Sequence, residues 1–291
     1  MKIGLFNDGS RRKIGLVGDD LQSVRLDESG PLDFKPFLTS SMSGRFDPER
    51  HLKLGAPRPL AGLVHLPPIM PDRNIFCVGK NYAQHAQEFN QSGFDATSKG
   101  KDANIDEFAA IFSKPPSSLI GHNEAIDAHA QVTAQVDYEA ELAVIIGREG
   151  KTIPRDKAYD YVWGYAIVND VTARDLQQAH RQWFVGKGFD TFCPMGPWMT
   201  SADEVDPQAL DLECRVNGEL RQKARTSDLI FDIPHLIETL SAGIKLKPGD
   251  IIATGTPAGV GIGFDPPRFL KAGDVVDISI SGLGTLSNRV A

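Results

Sequence analysis

The sequence predicts an α+β fold with a strand-dominated core, in which a small β-rich N-terminal domain over residues 1–70 precedes a larger domain over residues 71–291. Three observations carry that reading. Short apolar runs rich in β-branched residues recur along the chain, notably within 136–147. Tight-turn chemistry separates them, most clearly Asn217-Gly218, a strong hairpin signal. Helical spacing interrupts the strands in only a few places, so the regular alternation of a doubly wound parallel sheet is missing.

In chain order, N-terminal strands are expected at 2–6, 13–17 and 24–26, divided by Asn7-Asp8-Gly9, Gly18-Asp19-Asp20 and Asp27-Glu28-Ser29-Gly30. The cluster Pro67-Pro68-Ile69-Met70-Pro71 ends this piece, because proline cannot donate to a ladder. Asn74-Ile75-Phe76-Cys77-Val78-Gly79 opens the second domain as a strand, and a helical-looking segment follows over 82–89. Between Phe89 and Phe108 the chain turns polar and rich in Gly, Ser, Asp and Lys, the composition of a linker or a mobile lid. Its place after a candidate catalytic helix favours a lid. From Val132 onward strands dominate. One helix is expected over 172–182, where Thr172 and Asp175 resemble a capping box. Another is expected over 233–240, with Ile233, Leu236, Ile237 and Leu240 at helical spacing. Lys247-Pro248-Gly249-Asp250 and Lys271-Ala272-Gly273-Asp274 are turns that feed the strands Ile251-Ile252-Ala253 and Val275-Val276-Asp277-Ile278.

Composition narrows the function. The 291 residues suffice for a substantial core, and 41% hydrophobic with 24% charged residues is the balance of an ordinary globular protein. A net charge of −7 and the lack of a basic stripe argue against a nucleic-acid partner. No apolar run approaches the ~20 residues of a membrane span, so no membrane partner is expected. The first apolar run breaks at Asn7-Asp8, too early for a secretory signal, which points to the cytoplasm. Cys77, Cys193 and Cys214 are isolated and read as small buried residues rather than as disulfides or zinc ligands.

Glu139 and Glu141 stand two apart at the head of the apolar run 136–147, so strand alternation points both carboxylates the same way. An isolated Glu-x-Glu can simply lie on a solvated strand edge. Once buried, two like charges are costly unless a cation sits between them. Asp170 ends a further apolar strand, Tyr165-Ala166-Ile167-Val168-Asn169, and stands where it can either cap the next helix or serve as a third ligand. Three carboxylates without histidine or thiolate form an all-oxygen set that suits Mg²⁺ or Mn²⁺ and suits zinc poorly. His85 and Glu88, three apart at helical spacing, share a face. A carboxylate beside an imidazole orients it and raises its basicity, as a general base requires, although on a surface such a pair is ordinarily a solvated ion pair.

Six pieces of the chain, in order, resemble the fumarylacetoacetate hydrolase (FAH) family over roughly 71–291. They are Gly79-Lys80-Asn81-Tyr82-Ala83-Gln84-His85, Phe112-Ser113-Lys114-Pro115-Pro116-Ser117, Asp137-Tyr138-Glu139-Ala140-Glu141-Leu142, Asn169-Asp170-Val171-Thr172-Ala173-Arg174-Asp175, Lys187-Gly188-Phe189-Asp190 and Thr254-Gly255-Thr256-Pro257-Ala258-Gly259-Val260. The resemblance implies a mixed β-roll/sandwich catalytic domain, a homodimer, and Mg²⁺ or Mn²⁺ held by Glu139, Glu141 and Asp170. It implies a catalytic His85–Glu88 dyad on a lid, and Lys187, in a Gly-Lys-Gly turn, opposing charge on an enolate or carboxylate oxygen. Arg174 is implied as a bidentate partner for a substrate carboxylate, and Thr256, in a Gly-rich turn, as a hydroxyl and amide donor to the same group. Lys114 and Tyr82 complete the implied substrate-binding set.

In the acylpyruvase or fumarylpyruvate hydrolase-like branch, the substrate is a 2,4-dioxo acid such as fumarylpyruvate or maleylpyruvate, from aromatic catabolism. His85, backed by Glu88, would activate water for attack on the distal carbonyl, and C–C cleavage would release pyruvate. The same site would also serve decarboxylation of a 2-oxo diacid such as oxaloacetate, or isomerisation and decarboxylation of a dienoate. A non-catalytic protein that merely kept the fold would have lost these side chains, and all are present. Either chemistry requires the three acids to converge within one coordination sphere without being neutralised by arginine or lysine.

Overall fold

Three antiparallel neighbours, Ala140–Ile146, Val162–Asn169 and Cys193–Ser201, are buried from end to end. Both of their faces are covered, which is why they read as continuous apolar runs rather than as alternating ones. The computed structural model describes residues 1–29, 34–43, 47–92, 107–180 and 182–291. Within it, strand alternation still sorts the side chains. Leu142, Val144 and Ile146 share a core with Leu212, Cys214, Val276 and Ile278 of a separate four-stranded sheet and with Leu236, Ile237 and Leu240 of the helix Ile233–Gly243. Ala143 and Ile145 share the opposite core with Ile3, Ile14, Leu38, Ala166 and Val168.

That parity places the acids. Glu139 and Glu141 follow the parity of Ala143, and Asp170 follows that of Val168. The register brings them together: Ala140 pairs with Asn169, Glu141 pairs with Val168, and the Asp170 N–H donates to the Glu139 carbonyl at 2.9 Å. Two adjacent strand ends thus deliver all three carboxylates to one side of the sheet.

The same sheet continues through Ile251–Ala253, Ile75–Gly79 and Ala110–Lys114 on one flank, and through Lys2–Asn7, Arg12–Val17 and Ser23–Leu26 on the other. This is the expected strand-rich α+β architecture. The N-terminal strands form where expected but do not make a sheet of their own, since Lys2 and Ile3 pair with Thr200 and Met199. Without them the Met199–Thr200 end of Cys193–Ser201 would present an unpaired edge, since beyond the pairing with Val162–Asn169 only its Cys193–Pro194 end is paired, by Leu119–Ile120. The helix Phe34–Met42, which the pattern did not assign, lays Phe37 and Leu38 into the same core.

Two local expectations change, and a third falls outside the described residues. The helix expected over 172–182 spans only Arg174–Ala179, with no side-chain cap. Thr172 instead pairs with Asp137 in a two-residue ladder and donates its hydroxyl to the Asp170 carbonyl at 2.9 Å, while Asp175 accepts from the Thr133 hydroxyl at 2.6 Å. Strand pairing has taken the residue that a capping box needed. Lys187 closes the short helix Phe184–Lys187 rather than lying in a turn. The polar stretch read as a lid falls largely on 93–106, outside the described residues. No helix among the described residues is long and apolar enough to cross a membrane.

Gly164 shows how tightly the central strands meet. A Cβ there would lie 2.1 Å from the Thr200 carbonyl oxygen and 2.9 Å from the Ser201 Cα, both of them backbone atoms that cannot swing away. Gly164→Ala is therefore expected to cost about 1–3 kcal/mol, the usual overpacking range, in urea denaturation. An unchanged midpoint would show that the two strands separate more easily than this packing implies.

Candidate active site

Glu139, Glu141 and Asp170 are all buried, and each offers one oxygen within 4.8 Å of the others. Convergence, the first requirement, is met. Freedom from cations is met by only one of the three, and that requirement is corrected: a buried carboxylate needs a counter-charge whether or not a metal joins it. Lys187 Nζ lies 2.8 Å from Glu139 Oε2 and 2.7 Å from Asp170 Oδ2. Lys114 Nζ lies 2.7 Å from Asp170 Oδ1, and Arg174 Nη1 lies 2.7 Å from Glu139 Oε1. Glu141 has no ion pair among the described residues, and its Oε2 accepts only the Gly255 N–H, at 2.8 Å. A fourth buried carboxylate, Asp137, holds Arg174 Nε at 2.9 Å. The acids thus outnumber the three cations that face them.

The electrostatics follow from this arrangement. Burial alone would raise the Glu139 carboxyl, but the charges of Lys187 and Arg174 outweigh it and hold the group down at about 2. Burial raises Glu141 well above the usual carboxylate range, and Asp170 and Glu139 push it further in the same direction. Burial works against the charged forms of Arg174 and Lys187, yet their acidic partners keep both above their ordinary values. An all-oxygen set with one carboxylate lacking a cation of its own fits a hard divalent ion. The three acids form a buried site consistent with such an ion.

The helix Ala83–Ser92 carries His85 and Glu88 on one face, as the spacing predicts. His85 is buried, with Nδ1 3.1 Å from Glu88 Oε2, and Glu88 Oε1 accepts the Gly259 N–H at 2.9 Å. With Nδ1 engaged, the other ring nitrogen is the one left to exchange a proton. His85, Glu139, Arg174, Gln177, Lys187 and Thr256 line one narrow cleft.

The other sequence-predicted residues take different places. Lys114 is fully buried and does not line the cleft; it also donates to the carbonyls of Val171, at 2.9 Å, and Lys187. Tyr82 lines a neighbouring cavity with Lys223 and Asp228. Its buried hydroxyl has no partner among the described residues, and burial, followed by Glu141 and Asp228, pushes the phenol up. Arg174 spends Nε and Nη1 on Asp137, Gln177 and Glu139, so only Nη2 lacks a partner among the described residues. The Thr256 hydroxyl accepts from Gln222 Nε2 at 2.7 Å. Sequence reasoning missed Asp137 and Gln177. Asp137 shares the parity of Glu139 and Glu141, and Gln177 stands three residues after Arg174 on a helix, so both carried a readable signal.

Residues 74–291 match the family described as fumarylacetoacetate (FAA) hydrolase C-terminal. The chain belongs to the fumarylacetoacetate hydrolase family. Oxaloacetate tautomerase YisK of Bacillus subtilis (strain 168) is 52% identical to this family member over 228 residues, 78% of this chain and 72% of that relative. A fumarylacetoacetate hydrolase structure from the psychrophile Exiguobacterium antarcticum superposes with a TM-score of 0.80 at 39% identity, covering 100% of this chain and 99% of that one. The maleylpyruvate hydrolase of Sphingobium sp. SYK-6, solved with manganese(II) and pyruvate, superposes with a TM-score of 0.77 at 32% identity and the same coverage. The FAH fold thus extends over the N-terminal strands as well as over the matched domain.

Proposed function

We propose that this chain is a divalent-metal-dependent enzyme of small 2-oxo diacids, interconverting the enol and keto forms of a substrate of the oxaloacetate type. The 52% identity to an oxaloacetate tautomerase carries the choice of reaction. The cleft supports it, because a buried imidazole, Glu139 of the acid cluster, a lysine and a guanidinium line one small space. Glu139, Glu141 and Asp170 are the residues that would hold Mg²⁺ or Mn²⁺. Bound there, the ion would supply a Lewis acid for the 2-oxo carboxylate.

The remaining steps belong to the chain's own side chains. His85 moves the proton at C3, giving it on the way to the keto form, as the enol hydroxyl proton leaves to solvent, and taking it on the way back, as solvent returns a proton to that oxygen. Glu88 holds the ring in the tautomer that this transfer needs. Lys187 opposes the negative charge that gathers on the 2-oxo oxygen as C3 loses its proton. Arg174, with Gln177 and Thr256 beside it, receives the second carboxylate.

Hydrolysis of an acylpyruvate, the reaction the motifs alone suggested, uses the same imidazole on water and is supported less well than the oxaloacetate alternative. Decay of enol absorbance, pyruvate release and CO₂ release, followed separately on oxaloacetate and fumarylpyruvate with Mg²⁺ or Mn²⁺, separate the three reactions. Accelerated enol decay without pyruvate or CO₂ supports tautomerisation, and pyruvate release from fumarylpyruvate alone would replace it with hydrolysis. His85→Ala is expected to lower turnover about 100-fold or more while metal affinity measured by calorimetry stays close to wild type. Unchanged turnover in that variant would remove His85 from the chemistry.

A further inference from the structure

The geometry points to Asp137 as a positioning residue of this cleft: with the amides of Gly261 and Ile262 it fixes Arg174, so that Nη2 meets the second carboxylate of a diacid at a set spacing from His85. The diacid in this statement rests on the function proposed above. The fixing of Arg174 does not.

Asp137 is fully buried and stands outside the group of three acids that converge on one point. Each of its oxygens has two donors. Oδ2 accepts from Arg174 Nε at 2.9 Å and from the Ile262 N–H at 3.1 Å, while Oδ1 accepts from the Gly261 N–H at 2.7 Å and from its own neighbour Tyr138 at 2.9 Å. An ionised carboxylate accepts about four hydrogen bonds, so this one is saturated and has nothing left for a metal or a substrate. A group so placed acts through what it holds.

What it holds is shared with the other wall of the cleft. The loop 259–263 that supplies two amides to Asp137 also supplies the Gly259 amide to Glu88, the carboxylate that holds His85. Phe89, from the helix of His85, packs on Val260 and Ile262 of that loop. The backbone runs close at both contacts: a Cβ on Gly261 would sit 2.6 Å from Asp137 Oδ1 and 2.5 Å from the Arg268 carbonyl oxygen, and one on Gly263 would fall on the end of the Glu88 side chain. One loop is therefore the common abutment for two carboxylates, one setting the guanidinium and the other setting the imidazole. Because Nη1 of Arg174 is taken by Gln177 and Glu139, the orientation that Asp137 imposes through Nε decides where Nη2 goes.

The test uses the full chain loaded with Mn²⁺ and compares wild type with Asp137→Asn, and with Gly261→Ala in case the first variant fails to fold. Asparagine keeps the shape and one acceptor but weakens the grip on Arg174. The KM for oxaloacetate is expected to rise about tenfold with kcat changed by less than about threefold, a split that marks binding lost equally from ground and transition states. Inhibition by oxalate, which has no distal carboxylate to reach Arg174, is expected to stay within about twofold of wild type. A merely structural role would weaken both ligands together, and that outcome, or an unmoved KM, overturns the proposal. The Arg174 Nε–H signal in a nitrogen-15 spectrum of the chain loaded with diamagnetic Mg²⁺ instead gives a reading that needs no substrate: slow exchange in wild type and fast exchange in both variants are expected. If wild type neither turns over nor binds oxaloacetate, the proposed function fails by itself. Asp137 is then judged on that signal, and slow exchange in the variants would overturn its role.

Discussion

Lys114→Met is expected to cost about 3–5 kcal/mol in urea denaturation, the range for removing one partner of a buried ion pair. Lys114 is fully buried, and its ammonium donates to Asp170 Oδ1 at 2.7 Å, to the Val171 carbonyl at 2.9 Å and to the Lys187 carbonyl. Methionine fills much of the same volume, so the loss reports charge and hydrogen bonding rather than a cavity. Asp170 keeps Lys187 but loses its second cation, and two carbonyls lose a donor, each a desolvated polar group left unsatisfied. Because the variant makes the cluster more negative, added Mn²⁺ should stabilise it by a larger margin than wild type. A cost under about 1 kcal/mol would show that the Lys114–Asp170 pair does not hold these strand ends together.

The sequence shows a carboxylate far more readily than the cation that answers it. Glu139 and Glu141 were readable because a strand has a period of two, and Asp170 because it ends an apolar run. Lys114, in Phe112-Ser113-Lys114-Pro115, has the look of a surface lysine at a strand end. Its partner is 56 residues away, and no local spacing reports a contact of that range. The same blindness split Arg174 from Asp137, 37 residues apart, and gave the guanidinium wholly to a ligand. Tyr82 stands apart from the cleft for another reason. It precedes the helix of His85, but at that helix entry it opens onto a neighbouring cavity, which spacing along a chain cannot reveal. The Thr172/Asp175 capping box was a correct local signal overruled by a strand that pairs with Asp137. At the N-terminus, the proline cluster marked a real change in the chain, but which strand Lys2–Asn7 joins depends on an unpaired edge formed some 200 residues later, by Cys193–Ser201.

Glu141→Gln is the substitution that tests the metal site most directly, because Glu141 is the one acid of the three that has no cation of its own among the described residues. Burial, Asp170 and Glu139 raise its folded-state carboxyl above the ordinary 4.5, so the folded chain keeps a proton that the unfolded chain releases. As pH climbs past 4.5, the metal-free fold is therefore expected to lose stability, by at most about 1.4 kcal/mol per pH unit, until the raised folded value is reached. Glu139 acts in the opposite sense in a separate window. Held at about 2, it contributes stability that is complete above its ordinary 4.5 and is lost as pH falls from there toward 2. With chelator present, denaturation of wild type between about pH 5 and 8 should show the descending limb, and Mn²⁺ should remove it, since an ion there binds the ionised carboxylate. Glutamine can still accept the Gly255 N–H but carries no charge. The variant should lose the descending limb, become more stable than wild type in chelator at neutral pH, and bind Mn²⁺ more than about 100-fold more weakly, beyond what outer-sphere partners alone cost. Retention of wild-type Mn²⁺ affinity in Glu141→Gln would show that the ion, and the 2-oxo acid chemistry built on it, sits elsewhere.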